Sequence, residues 1–439
     1  MTPPTSPSAP TLDDWIKKLR SRPGGGLSSQ QQITRRNWQR VFEVIVVFRE
    51  LTARNIVEAT GLGHSTVFGV LKQMRQSGLI KDDPVADTGE AAGVGRRPKP
   101  IRVNDGLHYI AGVEIVREEV IGRIVDLRGE PVTPLHRLPL PRAVPDEPVD
   151  ADAVVDTVRD LVDILTERLG RERRDFAGHS LVGLGVEIGG HINGATGTVV
   201  RSPNLCWGGD WTEPVRLRQR LRDATRLHTV LDNDVNALGI AQRWFGAGRG
   251  EDSFAVVFLS HDGIGGAVFC DGDLLRGATG KAGEFGHFFI DRNGPACRCK
   301  GRGCVEAVST MAAICRTLGV DAREKAFQLA AAGDSAALRA FAHAGHTLGQ
   351  AVSILLSGLD PAKIIFTGDQ FTESRQAPGA WVLLNDHYHR AMLRAMGINP
   401  FSRESEHLLE MVPDAEHWNG PRGAATLVIH DVIAGAVRL

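Results

Sequence analysis

From Thr34 onward the apolar positions recur at helical spacing: Trp38, Val41, Phe42, Ile45, Val46 and Phe48 form one stripe, expected to be buried. Thr52 is placed to cap a second helix, on which Ile56, Ala59 and Leu62 share a face. Gly61-Leu62-Gly63 supplies a tight turn, and a third helix runs through Val67, Val70, Leu71 and Met74 to Ser77-Gly78. Three short helices with a Gly-containing turn between the second and third follow the helix-turn-helix plan. The next stretch, LIKDDPVADTGEAAGVGRRPKPIRVN, has short apolar ends around a polar, Gly-rich loop. It predicts a two-stranded wing carrying Arg96, Arg97 and Lys99 at its tip, where guanidinium groups can lie along phosphates or enter a minor groove.

Beyond Tyr109 the pattern changes to short β-rich apolar runs, YIAGVEI, VIGRIVDL and LVGLGVEIGG, with helical stretches such as ADAVVDTVRDLVDILTERL between them. Further strands are expected at 229–231, Phe254–Leu259, 266–270 and 363–367, with helices dominating after Glu306. No internal repeat is evident. The first 28 residues are rich in Pro, Ser and Gly and are expected to be mostly disordered, apart from a short helical stretch at 12–19.

Charge sharpens this division. Residues 1–104 hold 16 Lys and Arg against 9 Asp and Glu, a net of +7, while the remainder is −8. A basic small domain on an acidic large one suits a polyanion binder joined to something else. On the third helix His64, Ser65, Thr66, Phe68, Gly69 and Lys72 lie away from the core stripe and can reach base edges or phosphates. Gly69 in mid-helix costs about 1 kcal/mol relative to Ala, and close approach to DNA is one reason to keep it. A helical protein-interaction module is the alternative reading of this segment. No apolar run nears the ~18 residues of a membrane span, and MTPPTSPSAPTLDDW lacks the order of a secretory signal, so a cytoplasmic protein without a membrane partner is expected.

Three of the six cysteines crowd into GHFFIDRNGPACRCKGRGC. Cys297, Cys299 and Cys304, with His287 ten residues upstream of the first, are four soft or borderline ligands able to close a tetrahedron around one structural zinc ion. Gly294, Gly301 and Gly303 give the backbone freedom to turn; three unrelated buried thiols are the alternative.

GEFGH followed by CxCxxxGCxE resembles the signature of the ROK family of bacterial sugar kinases and sugar-responsive repressors. GLGVEIGGHINGATGTVVRSPNLCWGG, LDNDVNALG and GLDPAKIIFTGD are similar to further segments of that family, and GLGHSTV, SGLI and GRRP to its repressor branch. Lys300 departs from the pattern, where the zinc motif usually has Gly. The resemblance implies an α/β protein: a winged helix-turn-helix at 29–104, then a two-lobed actin-like, ribonuclease-H-like ATPase-fold domain at 105–439. It places the first lobe at about 105–233 plus a C-terminal helix at about 422–439, and the second at about 234–421. It implies that Asn204, Asn233, Asp234, Glu284, His287 and Glu306 touch sugar hydroxyls, with His287 using one ring nitrogen for zinc. Asp234 stands where the kinases keep a general base, here expected to be vestigial.

The phosphate loops implied by the family are altered. No glycine follows the first strand in Gly112-Val113-Glu114-Ile115-Val116-Arg117-Glu118, and Glu118 and Glu119 bring negative charge there. The second loop reads His261-Asp262-Gly263, and the late loop keeps Gly368 but continues into Asp369. The expectation is therefore not an enzyme but a DNA-binding regulator, a repressor of sugar genes. Its expected partners are an inverted-repeat operator, a sugar or sugar derivative held in a kinase-like cleft, and further copies of itself as a homodimer or homotetramer. A kinase with a DNA-binding appendage and a regulator controlled by a protein partner are the alternatives.

Overall fold

Helix α1 (Gln30–Val47) begins four residues before the apolar stripe suggests. The computed structural model describes residues 30–48, 51–82, 99–141, 147–172, 181–373, 381–412 and 420–433. The leader at 1–28 and the wing arginines Arg96 and Arg97 lie outside them. On α1, Val41, Phe42 and Ile45 are buried as expected, whereas Trp38, Val46 and Phe48 are only half-buried; Glu43 and Val44 are buried instead. The stripe is displaced because α1 packs against more than its own domain.

Helix α2 (Ala53–Thr60) is capped by Thr52, whose hydroxyl accepts from Asn55 N while the Asn55 side chain accepts from Thr52 N. Gly61 ends it in the left-handed region, φ 66°. Helix α3 (His64–Gln76) buries Val67, Val70, Leu71 and Met74. Strands β1 (Ile80–Asp82) and β2 (Ile101–Val103) pair antiparallel and form the base of the expected wing. Arg75 at the end of α3 forms a bidentate ion pair with Asp82, locking helix to strand.

Strands β3 (Tyr109–Ile115), β4 (Glu119–Asp126) and β5 (His136–Pro139) form an antiparallel meander, followed by helix α4 (Ala151–Glu172) and strand β6 (Leu181–Ile188). A small sheet follows, of β7 (His191–Asn193), β8 (Thr198–Ser202) and β9 (Trp207–Gly208), then helix α5 (Leu217–Thr225) and strand β10 (Thr229–Asn233). The main sheet runs β10-β6-β3-β4-β5, parallel from β3 outward through β6 and β10. One face is covered by α4 through Val154, Val158, Leu161 and Leu165, at the three-to-four spacing of its heptads. The C-terminal helix (Pro421–Ile433) packs backbone against strand: a Cβ at Gly112 or Gly185 would collide with the carbonyl oxygens of Pro421 and Ala424.

Helix α6 (Asp234–Phe245) belongs with this first compact unit, residues 1–250 with 420–439. The lobe boundary is thus at 250 rather than 233, and the return is at 420 rather than 422. The reason is packing: α6 is buried from Val235 to Trp244, and Trp244 Nε1 donates to His430 Nδ1 of the C-terminal helix at 3.2 Å.

The second unit, 251–419, is built on strands β11 (Phe254–Leu259), β12 (Ile264–Cys270) and β13 (Asp273–Leu274). After them come helices α7 (Val305–Ser309), α8 (Met311–Leu318), α9 (Arg323–Ala331) and α10 (Ser335–Leu359), then β14 (Lys363–Gly368), β15 (Phe371–Glu373), β16 (Trp381–Leu383), α11 (Asp386–Met396) and β17 (Leu409–Val412). Three strands after Glu306 beyond β14 were not expected; each has only three or four residues. The sheet order β13-β12-β11-β14-β17 repeats that of the first unit strand for strand, an antiparallel meander extended by two parallel strands.

Candidate functional site

The face of α3 that the fold does not use is the one foreseen. His64, Ser65, Phe68, Gly69 and Lys72 are exposed and Thr66 is half-exposed. Phe68 is 54 % exposed, large for an aromatic side chain, and stacks on His64 at 6.5 Å between centroids. A Cβ at Gly69 would meet nothing within 4 Å, so among the described residues no contact requires glycine there. The N-cap of α3 is Gly63, which makes no side-chain bond to the first turn and leaves its amides open to an anion.

In the first unit the ends of three parallel strands carry acids in register: Glu114 opposite Glu187, and Glu187 opposite Asp232. Asp232 is hydrogen-bonded locally, accepting from Asn233 N and from Asn236 Nδ2, each at 2.8 Å. Glu187 is buried and accepts the N–H of Gly420 at the start of the C-terminal helix, and Glu114 lies against the same glycine. Burial, reinforced by the Asp234 carboxylate, pushes Glu114 up to about 7. Burial together with Glu114 and Asp234 raises Glu187 well above the usual range. The chain's own carboxylates therefore occupy the positive end of this helix. Sequence reasoning placed the negative charge at Glu118 and Glu119; Glu119 instead pairs with Arg137. The missed signal was a charge inside the apolar run LGVEIGG.

Asn204 and Asp234 are brought together. Their Nδ2 and Oδ2 atoms lie 3.2 and 3.4 Å from the point where a Cβ on Gly189 would stand, so a glycine there keeps the space open. The Asn204 carbonyl is held by Arg117 Nη1 at 2.8 Å. Asn233 is committed largely to the backbone: its Oδ1 caps α6 at Val235 N and Asn236 N, and its Nδ2 donates to Gly190 O at 3.0 Å. One amide hydrogen remains available to a ligand.

In the second unit the ligand atoms of His287, Cys297, Cys299 and Cys304 all lie within 4.8 Å of one another. His287 Nδ1 is 3.6 Å from Cys297 Sγ, and Cys299 Sγ is 3.7 Å from Cys304 Sγ. Zn–S bonds near 2.3 Å set a tetrahedral edge of about 3.8 Å, so the donor set fits that ion in both chemistry and spacing. Burial and the two neighbouring thiols push Cys304 up to about 12, a penalty that a bound cation reverses. Lys300 sits at φ 72°, the left-handed region that favours glycine.

His287 Nε2 lies 3.9 Å from Glu284 Oε2. Glu306, buried, accepts from Ile264 N and from Arg298 Nη2, each at 3.3 Å. Arg298, between two of the cysteines, also bonds the Asp262 carboxylate at 2.8 Å and the Asp262 carbonyl at 2.6 Å. It was not singled out from the sequence, yet it ties the cysteine loop to the His261-Asp262-Gly263 turn.

A family model described as the ROK family matches residues 112–430. The chain is 25% identical over 343 residues to the xylose repressor of Bacillus subtilis, spanning 77% of this chain and 83% of that protein. It is 29% identical over 245 residues to the glucokinase of Halalkalibacterium halodurans, spanning 51% of this chain and 71% of that one. A solved ROK family transcriptional regulator, a homologue of the E. coli MLC protein, superposes with a TM-score of 0.67 over 92% of this chain and 97% of that chain, at 19% identity. At that identity the likeness shows the fold: an N-terminal helix-turn-helix followed by an actin-like, kinase-fold domain. Among the described residues no helix is long and apolar enough to cross a membrane.

Proposed function

Since this chain belongs to the ROK family, we propose that it is a sequence-specific DNA-binding transcriptional regulator, a repressor of sugar uptake or metabolism genes controlled by a sugar or sugar derivative. Residues 29–104 are the DNA-binding domain and 105–439 the effector domain. The observation that carries this reading is the exposed face of α3, from His64 to Lys72, around a glycine that no contact among the described residues requires. A two-fold dimer presenting two such heads reads an inverted repeat with half-sites spaced by roughly whole helical turns. Arg96 and Arg97 add phosphate contacts from the wing.

Recognition of the effector follows from the donors available. In the first unit Asn204 and Asp234 offer an amide donor and a carboxylate acceptor on either side of the space that Gly189 keeps open, and Asn233 adds one amide hydrogen. In the second, Glu284, His287 Nε2 and Glu306 offer acceptors and one ring nitrogen. Zinc held by His287, Cys297, Cys299 and Cys304 would order the loop and fix the His287 ring, a structural contribution. Asp234 stays as a ligand contact rather than a base, because the helix terminus near it, an anion site in principle, is already taken by Glu187 and Glu114.

The test has two arms. Full-length protein is used to select fragments from random-sequence DNA, and operator affinity is then measured with and without D-xylose and D-glucose; enrichment of a palindrome whose affinity responds to a sugar is expected. Incubation with ATP and each sugar should give no sustained phosphorylation. Turnover would restore Asp234 as a catalytic base and make the chain a kinase with a DNA-binding appendage.

A further inference from the structure

Helix α6 has a sugar-site residue at one end and the DNA-binding domain at the other. Its N-cap is Asn233 and its first residue Asp234; its last turn carries Arg243 and Trp244. Twelve residues span about 18 Å, and burial from Val235 to Trp244 makes the helix a rigid rod.

At the far end the Arg243 guanidinium forks onto Glu43 of α1, with Nη1 to Oε1 at 2.6 Å and Nη2 to Oε2 at 3.4 Å. Gly250 N donates to the same Oε1 at 2.8 Å, and the two side chains are 5 % and 1 % exposed. Phe42 meets the Trp244 ring edge-on at 6.2 Å, and Trp244 donates to His430, whose other nitrogen lies 3.5 Å from Arg35 Nη2. From α1 the contact continues to the recognition helix, because Trp38 Nε1 donates to Gln73 Oε1 of α3 at 3.0 Å. A continuous path thus runs Asp234, α6, Arg243, Glu43, α1, Gln73.

We propose that the buried Glu43–Arg243 pair is the joint through which the state of the sugar site at Asp234 sets the position of the DNA-binding helices. This rests on the regulator reading above. A tether that served only to hold two domains together would be at least as stable if built from apolar side chains, since a buried ion pair gains little over them. What the pair adds is direction: the planar fork matches the carboxylate in one register of α6 against α1, and a displacement of an ångström or so strands a desolvated charge. That makes the joint respond to small axial or rotational shifts of α6, as a two-state element must. Glu43 and Arg243 are positioning residues; they touch neither operator nor sugar.

The experiment uses the full-length chain, a selected operator, and D-xylose and D-glucose as probes. Operator affinity is measured by fluorescence anisotropy with and without sugar, and sugar affinity by calorimetry. In the double variant Glu43→Leu/Arg243→Met, operator and sugar should each still bind within about threefold of the parent, while the sugar-induced change in operator affinity falls below about twofold. If this variant fails to give a cooperative melt, Arg243→Lys, which keeps the charge but not the fork, should show a reduced response. A variant that folds and keeps the parent's full response overturns the joint and leaves the regulator reading intact. Loss of sugar binding in the double variant also overturns it, because Arg243 would then be acting on the site itself. A parent protein that binds operator but responds to neither sugar overturns the sugar-controlled reading, and the joint with it.

Discussion

Glu114→Gln offers the sharpest quantitative check on the buried carboxylates. The Glu114 carboxyl moves from an ordinary 4.5 to about 7 because it is buried beside Asp234. That difference, at 1.36 kcal/mol per pH unit, corresponds to roughly 3 kcal/mol. The sign follows from proton binding: between pH 4.5 and about 7 the folded chain keeps a proton that the unfolded chain releases, so stability falls as pH rises through that window. Above it the folded state carries the full cost of a desolvated charge. Glutamine keeps the shape and removes the ionisation. The variant should therefore match the parent near pH 4.5 and exceed it by up to roughly 3 kcal/mol at pH 8, with relief of Glu187, which Glu114 also raises, acting in the same direction. Urea unfolding at several pH values, followed by tryptophan fluorescence, reads the difference. A gap that does not change with pH, or a variant less stable than the parent at pH 8, would refute the argument that burial and the neighbouring acids outweigh the Arg137 charge at Glu114.

Purified protein should carry about one zinc per chain by elemental analysis, and Cys299→Ser should lose it together with the sugar response; metal-free parent protein prepared without chelators would end the assignment. Gly69→Ala should raise the stability of the DNA-free protein by about 0.5–1 kcal/mol, since the added methyl has open space, yet weaken operator binding; unimpaired binding would mean that the α3 backbone does not approach DNA closely. Arg96→Ala/Arg97→Ala should weaken operator binding and lower the slope of log affinity against log salt by about two, and an unchanged slope would place the wing away from phosphate.

The parts of the fold most legible in the sequence were those fixed by local chemistry. Thr52 and Gly61 bracket a helix because a hydroxyl cap and a left-handed terminus are requirements of the backbone itself. The four predicted ligands, His287, Cys297, Cys299 and Cys304, converge because their spacing within eighteen residues leaves the loop few ways to close. What stayed hidden was set by distant partners. The matching strand orders of the two units are a property of pairing, and side chains chosen for different faces erase it from the sequence. Strands β15 to β17 are too short to show alternation.

The charged residues inside apolar runs show where the limit lies. Glu43 in VFEVIVV, Glu187 in LGVEIGG and Arg243 in AQRWF each break an otherwise buried pattern, and each is buried. A charge enters a core only with a partner or with its proton retained. The sequence can thus flag that each of the three needs a solution, but not which one. Glu43 is answered by an arginine 200 positions away, whereas Glu187, with one backbone N–H and two acidic neighbours, is answered by a raised proton affinity. These two solutions have opposite consequences. The paired charge makes α1 and α6 register with each other; the unpaired acids close a helix terminus to other anions. Under the function proposed above, the first would carry signalling to DNA and the second would oppose phosphoryl transfer. Three embedded charges, silent as motifs, thereby bear on the choice between regulator and kinase.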